Sequence, residues 1–216
     1  MKILVTGGDG LVGSALRRVS EKHTQHEFVF TTRKQHDLTK EKDVARLFKE
    51  SNPDYVIHTA ARVGGIGRNL NSPAQQFYNN ILMNTFMIHY AFVHNVKKLI
   101  AFSSVCAFPA DEPIFKEDNL QSGMPYPAHG AYAYSKRMVD VQIEAYNKQH
   151  DLNYCSVIPA NIFGECDNYN LEDGHVVPSL IHKCYIAKQT NTVLEVWGNG
   201  SPMREFLYSD DSTRLC

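Results

Sequence analysis

Glycines at positions 7, 10 and 13 constrain this chain more than any other feature. They sit in the opening stretch MKILVTGGDGLVG, directly after Ile3-Leu4-Val5, an apolar run whose β-branched members suit a buried strand. The run breaks at Thr6-Gly7-Gly8, and a helical pattern starts near Leu11. Three glycines spaced three apart therefore fall on a strand-to-helix turn. In such a turn Gly7 permits the tight bend, Gly10 lets a pyrophosphate approach the backbone, and Gly13 lets the helix pack close to the strand. The amides that open the helix, those of Leu11 and Val12 among them, then face the phosphates with a favourable dipole. A glycine pattern alone reads equally as an ordinary loop; the strand before it and the helix after it favour a dinucleotide site.

The alternation continues along the chain. Apolar positions Leu11, Ala15 and Leu16 give the first helix a face, and EFVFTT (27–32) reads as the second strand. About twenty residues past a glycine turn, an acid would bind the adenosine ribose hydroxyls. Arg33 and Lys34 stand there instead, and two cations suit a 2′-phosphate, which favours NADP over NAD. The competing reading, a solvated pair at a loop start, holds equally well for Lys34 and less well for Arg33. Asp37 is a weaker candidate for the adenine ring. Residues 41–49 form a short amphipathic helix, and 55–60 (YVIHTA) a third strand whose small end residues, Ala60 and Ala61, leave room for a cofactor. A long helix runs from Pro73 to about Asn95, followed by a strand at 98–103, a helix at 131–149, a strand at 153–159, a helix at 175–188 and a last strand at 193–197. This is the pattern of an α/β fold, a Rossmann-type doubly wound parallel sheet. Its division is expected at 164, with a nucleotide-binding domain over 1–164 and the start of a smaller substrate lobe over 165–216.

Composition removes other classes. A net charge of −1 gives no pull toward nucleic acid, and no apolar run approaches a membrane span. The N-terminus enters a strand at once, leaving no room for a signal peptide. Cys106, Cys155, Cys166, Cys184 and Cys216 are odd in number and widely spaced, which favours free thiols in a reducing, cytoplasmic compartment over disulfides or a metal site.

Tyr132 and Lys136 lie four apart, hence on one helix face. An ammonium beside a phenol is expected to bring its pKa down and make it a usable acid–base group. Ser104 ends the fourth strand, at the edge where such sheets bind ligands, and could hold a substrate carbonyl. Each signal is weak alone; the glycine turn, strand-end serine and Tyr-x-x-x-Lys in this order are strong together.

TGGDGLVG, Ser104 and Tyr132-Ala133-Tyr134-Ser135-Lys136 resemble the extended short-chain dehydrogenase/reductase family. The segments AARVGGI (60–66), SSVCAFP (103–109), YSKRM (134–138), the IPANIFG…DNYN run (158–170), DGHVVPSLIHK (173–183) and WGNGSPMREF (197–206) are similar to its branch of NADPH-dependent 3,5-epimerase-4-reductases acting on GDP-4-keto-6-deoxy-D-mannose. The resemblance implies that Cys106 and His175 exchange protons at C3 and C5, that NADPH reduces C4 while Tyr132 supplies the proton, and that the product is GDP-L-fucose. It implies that Lys136 also grips the nicotinamide ribose, that Asn161 contacts cofactor and substrate, and that Lys183, Trp197 and Arg204 hold the GDP-sugar. Read without the resemblance, Cys106 is a packed small hydrophobe, His175 a solvated helix start and Trp197 a core aromatic. It further implies a homodimer through the long helices, although Phe86, Ile88, Met138 and Ile143 fit a sheet-facing stripe as well as an interface. Family members continue well past residue 216, so a truncated substrate lobe is expected. Two other readings stand beside this one. Another NDP-sugar epimerase or dehydratase of the same fold is disfavoured in its dehydratase form, because Val105-Cys106 follow Ser104 where an acid pair is wanted. The other is a non-catalytic NADP-binding chain.

Overall fold

Strands β1 (Lys2–Thr6), β2 (Glu27–Thr31), β3 (Tyr55–His58), β4 (Lys98–Phe102) and β5 (Cys155–Val157) form one parallel sheet in the order β2-β1-β3-β4-β5. The computed structural model describes residues 1–214 and 216. Register decides which side chains meet. Leu4, Val56 and Leu99 stand side by side on one face, and Val5, Ile57 and Ile100 on the other. Helices α2 (Glu41–Ser51), α4 (Pro73–Val93) and α5 (Gly130–His150) cover the first face with Val44, Leu47, Phe48, Met87, Ile88, Val139 and Ile143. Leu4, Val56 and Leu99 are essentially inaccessible to water, so each contributes about 1.5–3 kcal/mol of burial. On the second face Leu16 of α1 (Leu11–Ser20) packs against Val5, Ile57 and Phe102. Near-continuous apolar strands are what a parallel sheet covered on both sides requires.

The helices begin and end where local chemistry says they should. Pro73 opens α4, where its missing N–H costs nothing. Helix α2 stops on Asn52, α5 on Asp151 and α6 (Val176–Thr190) on Asn191, each left-handed, with φ of 41°, 53° and 53°. Asn and Asp are the side-chain-bearing residues that adopt this conformation most readily.

Three features differ from the expectation drawn from sequence. The strand expected at 193–197 does not form: residues 191–205 are irregular, and Val193 is 92% and Trp197 68% exposed. A strand needs a hydrogen-bonding neighbour, and β-propensity does not provide one. Instead β6 (Asn161–Phe163) pairs in parallel with β7 (Phe206–Tyr208), two three-residue strands too short for a periodicity signal. Helix α3 (Ile66–Asn71) was not anticipated, its glycine and asparagines hiding it. After β7, helix α7 (Ser209–Thr213) packs on α1, where Arg18 bonds Asp210 and pairs with Glu165 at 3.1 Å. Ile88 and Ile143, named above for an interface, belong to the core, and Phe86 packs against it.

Candidate active site

The sheet order reverses between β1 and β3, and in an open α/β sheet the crevice beyond that switch point receives the ligand. A cleft of about 1040 Å³ opens there. Gly7 has φ +71°, and a Cβ on it would stand 3.0 Å from the Ala60 backbone across the switch. A Cβ on Gly13 would lie 2.1 Å from the Gly7 carbonyl oxygen, so only glycine lets α1 approach the turn. Gly10 caps α1 with no side chain, leaving the amides of the first turn without intrahelical acceptors. Gly7, Gly10, Leu11, Val12, Arg33, Asp37, Ala60 and Ala61 all line the cleft. Gly13 lies behind the turn rather than on the wall, and Lys34 is exposed and does not line the cleft.

A buried polar chain ties this nucleotide end to the chemical end. Thr6 Oγ1 on β1 meets His58 Nδ1 on β3 at 2.8 Å, His58 Nε2 meets Asn84 Oδ1 on α4 at 3.1 Å, and Asn84 donates to the Ser135 carbonyl on α5 at 3.3 Å. Burial, with help from the Lys136 charge, pushes His58 down to about 3, so the ring is neutral. Asn84 Oδ1 can only accept, which puts the ring proton on Nε2 and leaves Nδ1 to accept from Thr6.

At the end of β4, Ser104 accepts a bond from the Cys106 amide at 3.2 Å and so caps the 3₁₀ turn Val105–Ala107 that carries the thiol. Arg137 on α5 donates to the Ala107 carbonyl at 2.6 Å and fixes the far side of the same turn. Tyr132 and Lys136 face the cleft from α5, both buried. The expected lowering of the phenol by Lys136 is not what the site holds. Burial pushes Tyr132 well above its ordinary 10, the neighbouring Cys106 adds to this, and only a hydrogen bond from Ser104 opposes it. Lys136 has its Nζ on the Phe102 carbonyl at 2.6 Å, 5.9 Å from the Tyr132 ring centre, and burial takes it down to about 8. Burial also pushes the Cys106 thiol up, against Ser104 and Arg204, which favour the thiolate.

The third wall comes from the segment after β6. An Asx-rich loop is pinned by Asn170 Oδ1, which accepts from the Glu172 and Asp173 amides at 2.8 and 3.0 Å. The Asp173 carbonyl takes the Gly65 amide at 2.8 Å, and its carboxylate pairs with Arg68 of α3 at 2.7 Å. His175 follows as the extended N-cap of α6. Lys183 stacks its ammonium 3.8 Å above the Trp197 ring, so this aromatic is a wall of the cleft and not core. Arg204 lines the same wall, and Asn161 binds the Glu205 carbonyl at 2.9 Å through its side chain. Ser104, Cys106, Tyr132, Lys136, Asn161, His175, Lys183, Trp197 and Arg204 are therefore brought to one cavity. Sequence reasoning missed His129 and Asp167, which also line it. Neither sits in a periodic pattern, and only the polar loop around Asp167 could have flagged it.

The arrangement matches known proteins over its full length. Residues 3–216 match the NAD dependent epimerase/dehydratase family. A GDP-L-fucose synthase of Dictyostelium discoideum is 40% identical over 97% of this chain and 66% of its own length. The Escherichia coli (strain K12) GDP-L-fucose synthase is 36% identical over 97% of this chain and 66% of its own. The crystal structure of a GDP-L-fucose synthetase from Naegleria fowleri bound to NADP superposes with a TM-score of 0.93 at 40% identity, covering 99% of this chain and 71% of that one. The chain thus spans about two thirds of the length of the curated relatives it matches. With a glycine turn at the switch point, a strand-end serine and a Tyr-x-x-x-Lys helix on one cleft, this chain belongs to the NAD dependent epimerase/dehydratase family.

Proposed function

We propose that the chain carries the machinery of an NADPH-dependent GDP-4-keto-6-deoxy-D-mannose 3,5-epimerase-4-reductase, forming GDP-L-fucose. The observation that carries this is the meeting of Ser104, Cys106, Tyr132, Lys136 and His175 on the cleft that the glycine turn opens. The relatives named for this product support it.

The residues fit the cofactor: a turn without Cβ atoms would admit a pyrophosphate, open amides would receive its charge, and Arg33, on the cleft wall, would hold a 2′-phosphate. Asp37, Ala60, Ala61, Lys136 and Asn161 would complete that limb. When bound, NADPH supplies the hydride for C4. Ser104 and Tyr132 hydroxyls stabilise the enolate oxygen, which is what makes the protons at C3 and C5 removable. Cys106 and His175 move those protons, and Tyr132 then protonates the C4 oxygen. Lys183, Trp197 and Arg204 hold the GDP portion, Arg204 with a fork suited to a diphosphate. The boundary at 164, a homodimer and a cytoplasmic setting belong to the same reading. No helix among the described residues is long and apolar enough to cross a membrane.

Deuterium wash-in at C3 and C5, followed with NADPH oxidation, tests it. Cys106→Ser should lose wash-in and keep NADPH binding. Unchanged wash-in would remove Cys106 from the chemistry. NADPH binding with neither wash-in nor oxidation would leave a non-catalytic nucleotide-binding chain.

A further inference from the structure

Asp167 brings a carboxylate to the cleft wall to which the reaction above gives no task. Its carboxylate is 5% exposed. Oδ1 accepts the Asn168 amide at 2.7 Å, while Oδ2 is buried with no partner among the described residues. A buried carboxylate oxygen left unpaired is costly, so such a group is normally kept for a partner. The His175 ring stands beside this carboxylate, its Nδ1 3.9 Å from Oδ1, the oxygen that also holds the Asn168 amide. Both backbones are held: Asn170 pins the loop between them, and the His175 carbonyl accepts the Ser179 amide at 3.0 Å as α6 begins. At 3.9 Å the two are longer than a hydrogen bond, and the pairing proposed below requires the ring to turn toward the carboxylate.

We propose that Asp167 is a positioning residue for His175: it takes the Nδ1 proton in a hydrogen bond and leaves Nε2 as the atom that faces the sugar. The proposal rests on the reading of His175 as a proton carrier. When Nε2 takes a proton from a sugar carbon, the ring becomes an imidazolium whose charge the carboxylate stabilises. When that proton passes back to carbon or to water, the ring returns to the neutral Nδ1–H form. The electron pair of the broken C–H bond stays on the substrate as the enolate. Asp167 itself neither gains nor loses a proton.

Protein labelled with ¹⁵N-histidine reports the ring directly, His175 being identified by its disappearance in His175→Gln. The expected result is an Nδ1–H tautomer in the unaltered chain, converted to Nε2–H in Asp167→Asn, a variant that should keep its NADPH affinity. Deuterium wash-in at one of C3 and C5 should fall by about a hundredfold in Asp167→Asn. A His175 ring already in the Nε2–H form, or one unmoved by Asp167→Asn, overturns the proposal. So does a variant that only raises the KM for the sugar nucleotide, which would put the carboxylate on the ligand instead. The tautomer readout is independent of turnover: a chain with the expected tautomer and no wash-in would refute the reaction and leave the pairing standing.

Discussion

Acid should loosen this protein through His58, and the size of the effect follows from the site. The ring is buried between β1, β3 and α4 and pushed down to about 3 from an ordinary 6.5. A histidine whose folded value is depressed is protonated first in the unfolded chain, so stability is intact above pH 6.5 and is lost as pH falls toward 3. Linkage for this one group gives a loss of about 2 kcal/mol between pH 7 and pH 5, and about 3 kcal/mol by pH 4. The chain has ten histidines, so the total acid response is not diagnostic. The difference against His58→Gln is. Glutamine can still donate to Asn84 and accept from Thr6, so the variant should fold, at a cost of about 1–3 kcal/mol at pH 7. Urea titrations at pH 7, 6 and 5 should then show the variant losing about 2 kcal/mol less than the unaltered chain over that range. Parallel pH dependences would mean that His58 takes up its proton in the folded state, and the neutral Thr6–His58–Asn84 chain would be wrong. Because the folded ring stays neutral over that interval, the Thr6–His58–Asn84 chain is intact there, and His58 should leave the NADPH affinity of the folded protein unchanged.

Three further outcomes follow. Arg33→Ser should weaken NADPH binding by about 10- to 100-fold with NADH little changed, whereas Lys34→Ser, off the cleft wall, should leave both as they are; competitive binding of the two nucleotides checks this. Gly13→Ala places a carbon 2.1 Å from the Gly7 carbonyl oxygen, so the turn must shift, and calorimetric titration should find NADPH binding lost even where circular dichroism shows a folded chain. Lys136, held down to about 8 by burial, is protonated in the unfolded chain up to an ordinary 10.5, so the chain should gain about 2 kcal/mol from pH 8 to 10 relative to Lys136→Met, measured by denaturant titration.

What could be read from the residues alone was whatever repeats locally. The glycine turn, the apolar runs of β1 to β4 and the stripes of α2, α4 and α5 each declare themselves within a dozen residues, and the sheet followed from their alternation. The glycine-turn wall of the cleft was legible for the same reason, since Gly7, Gly10, Leu11, Val12 and Ala60 come to it through backbone position. The rest depends on partners distant in sequence. Strand β7 exists because Asn161–Phe163 lies beside it, and residues 193–197, with better β-propensity, have no such neighbour. Asp167 and Arg137 matter through His175 and the Ala107 carbonyl, pairings that no spacing encodes. The pKa of Tyr132 was misjudged because a helix face gives the distance between two side chains but not the water removed from around them.

That removal of water also couples two groups of the proposed reaction. Cys106 and Tyr132 share a pocket where each resists ionising, the thiol because burial pushes it up and the phenol because burial and the thiolate together push it further. Two anions in one low-dielectric site penalise each other, so a thiolate at Cys106 keeps the proton on Tyr132. During proton exchange at C3 and C5 the phenol therefore serves only as a hydrogen-bond donor to the enolate oxygen, the role an oxyanion stabiliser needs. Its proton becomes transferable when Cys106 is a thiol again and a strongly basic oxygen develops at C4. Reduction while Cys106 is ionised would have to form tyrosinate next to thiolate, the arrangement this pocket disfavours most. The placement of Cys106 and Tyr132 thus opposes reduction only for as long as the thiol is ionised.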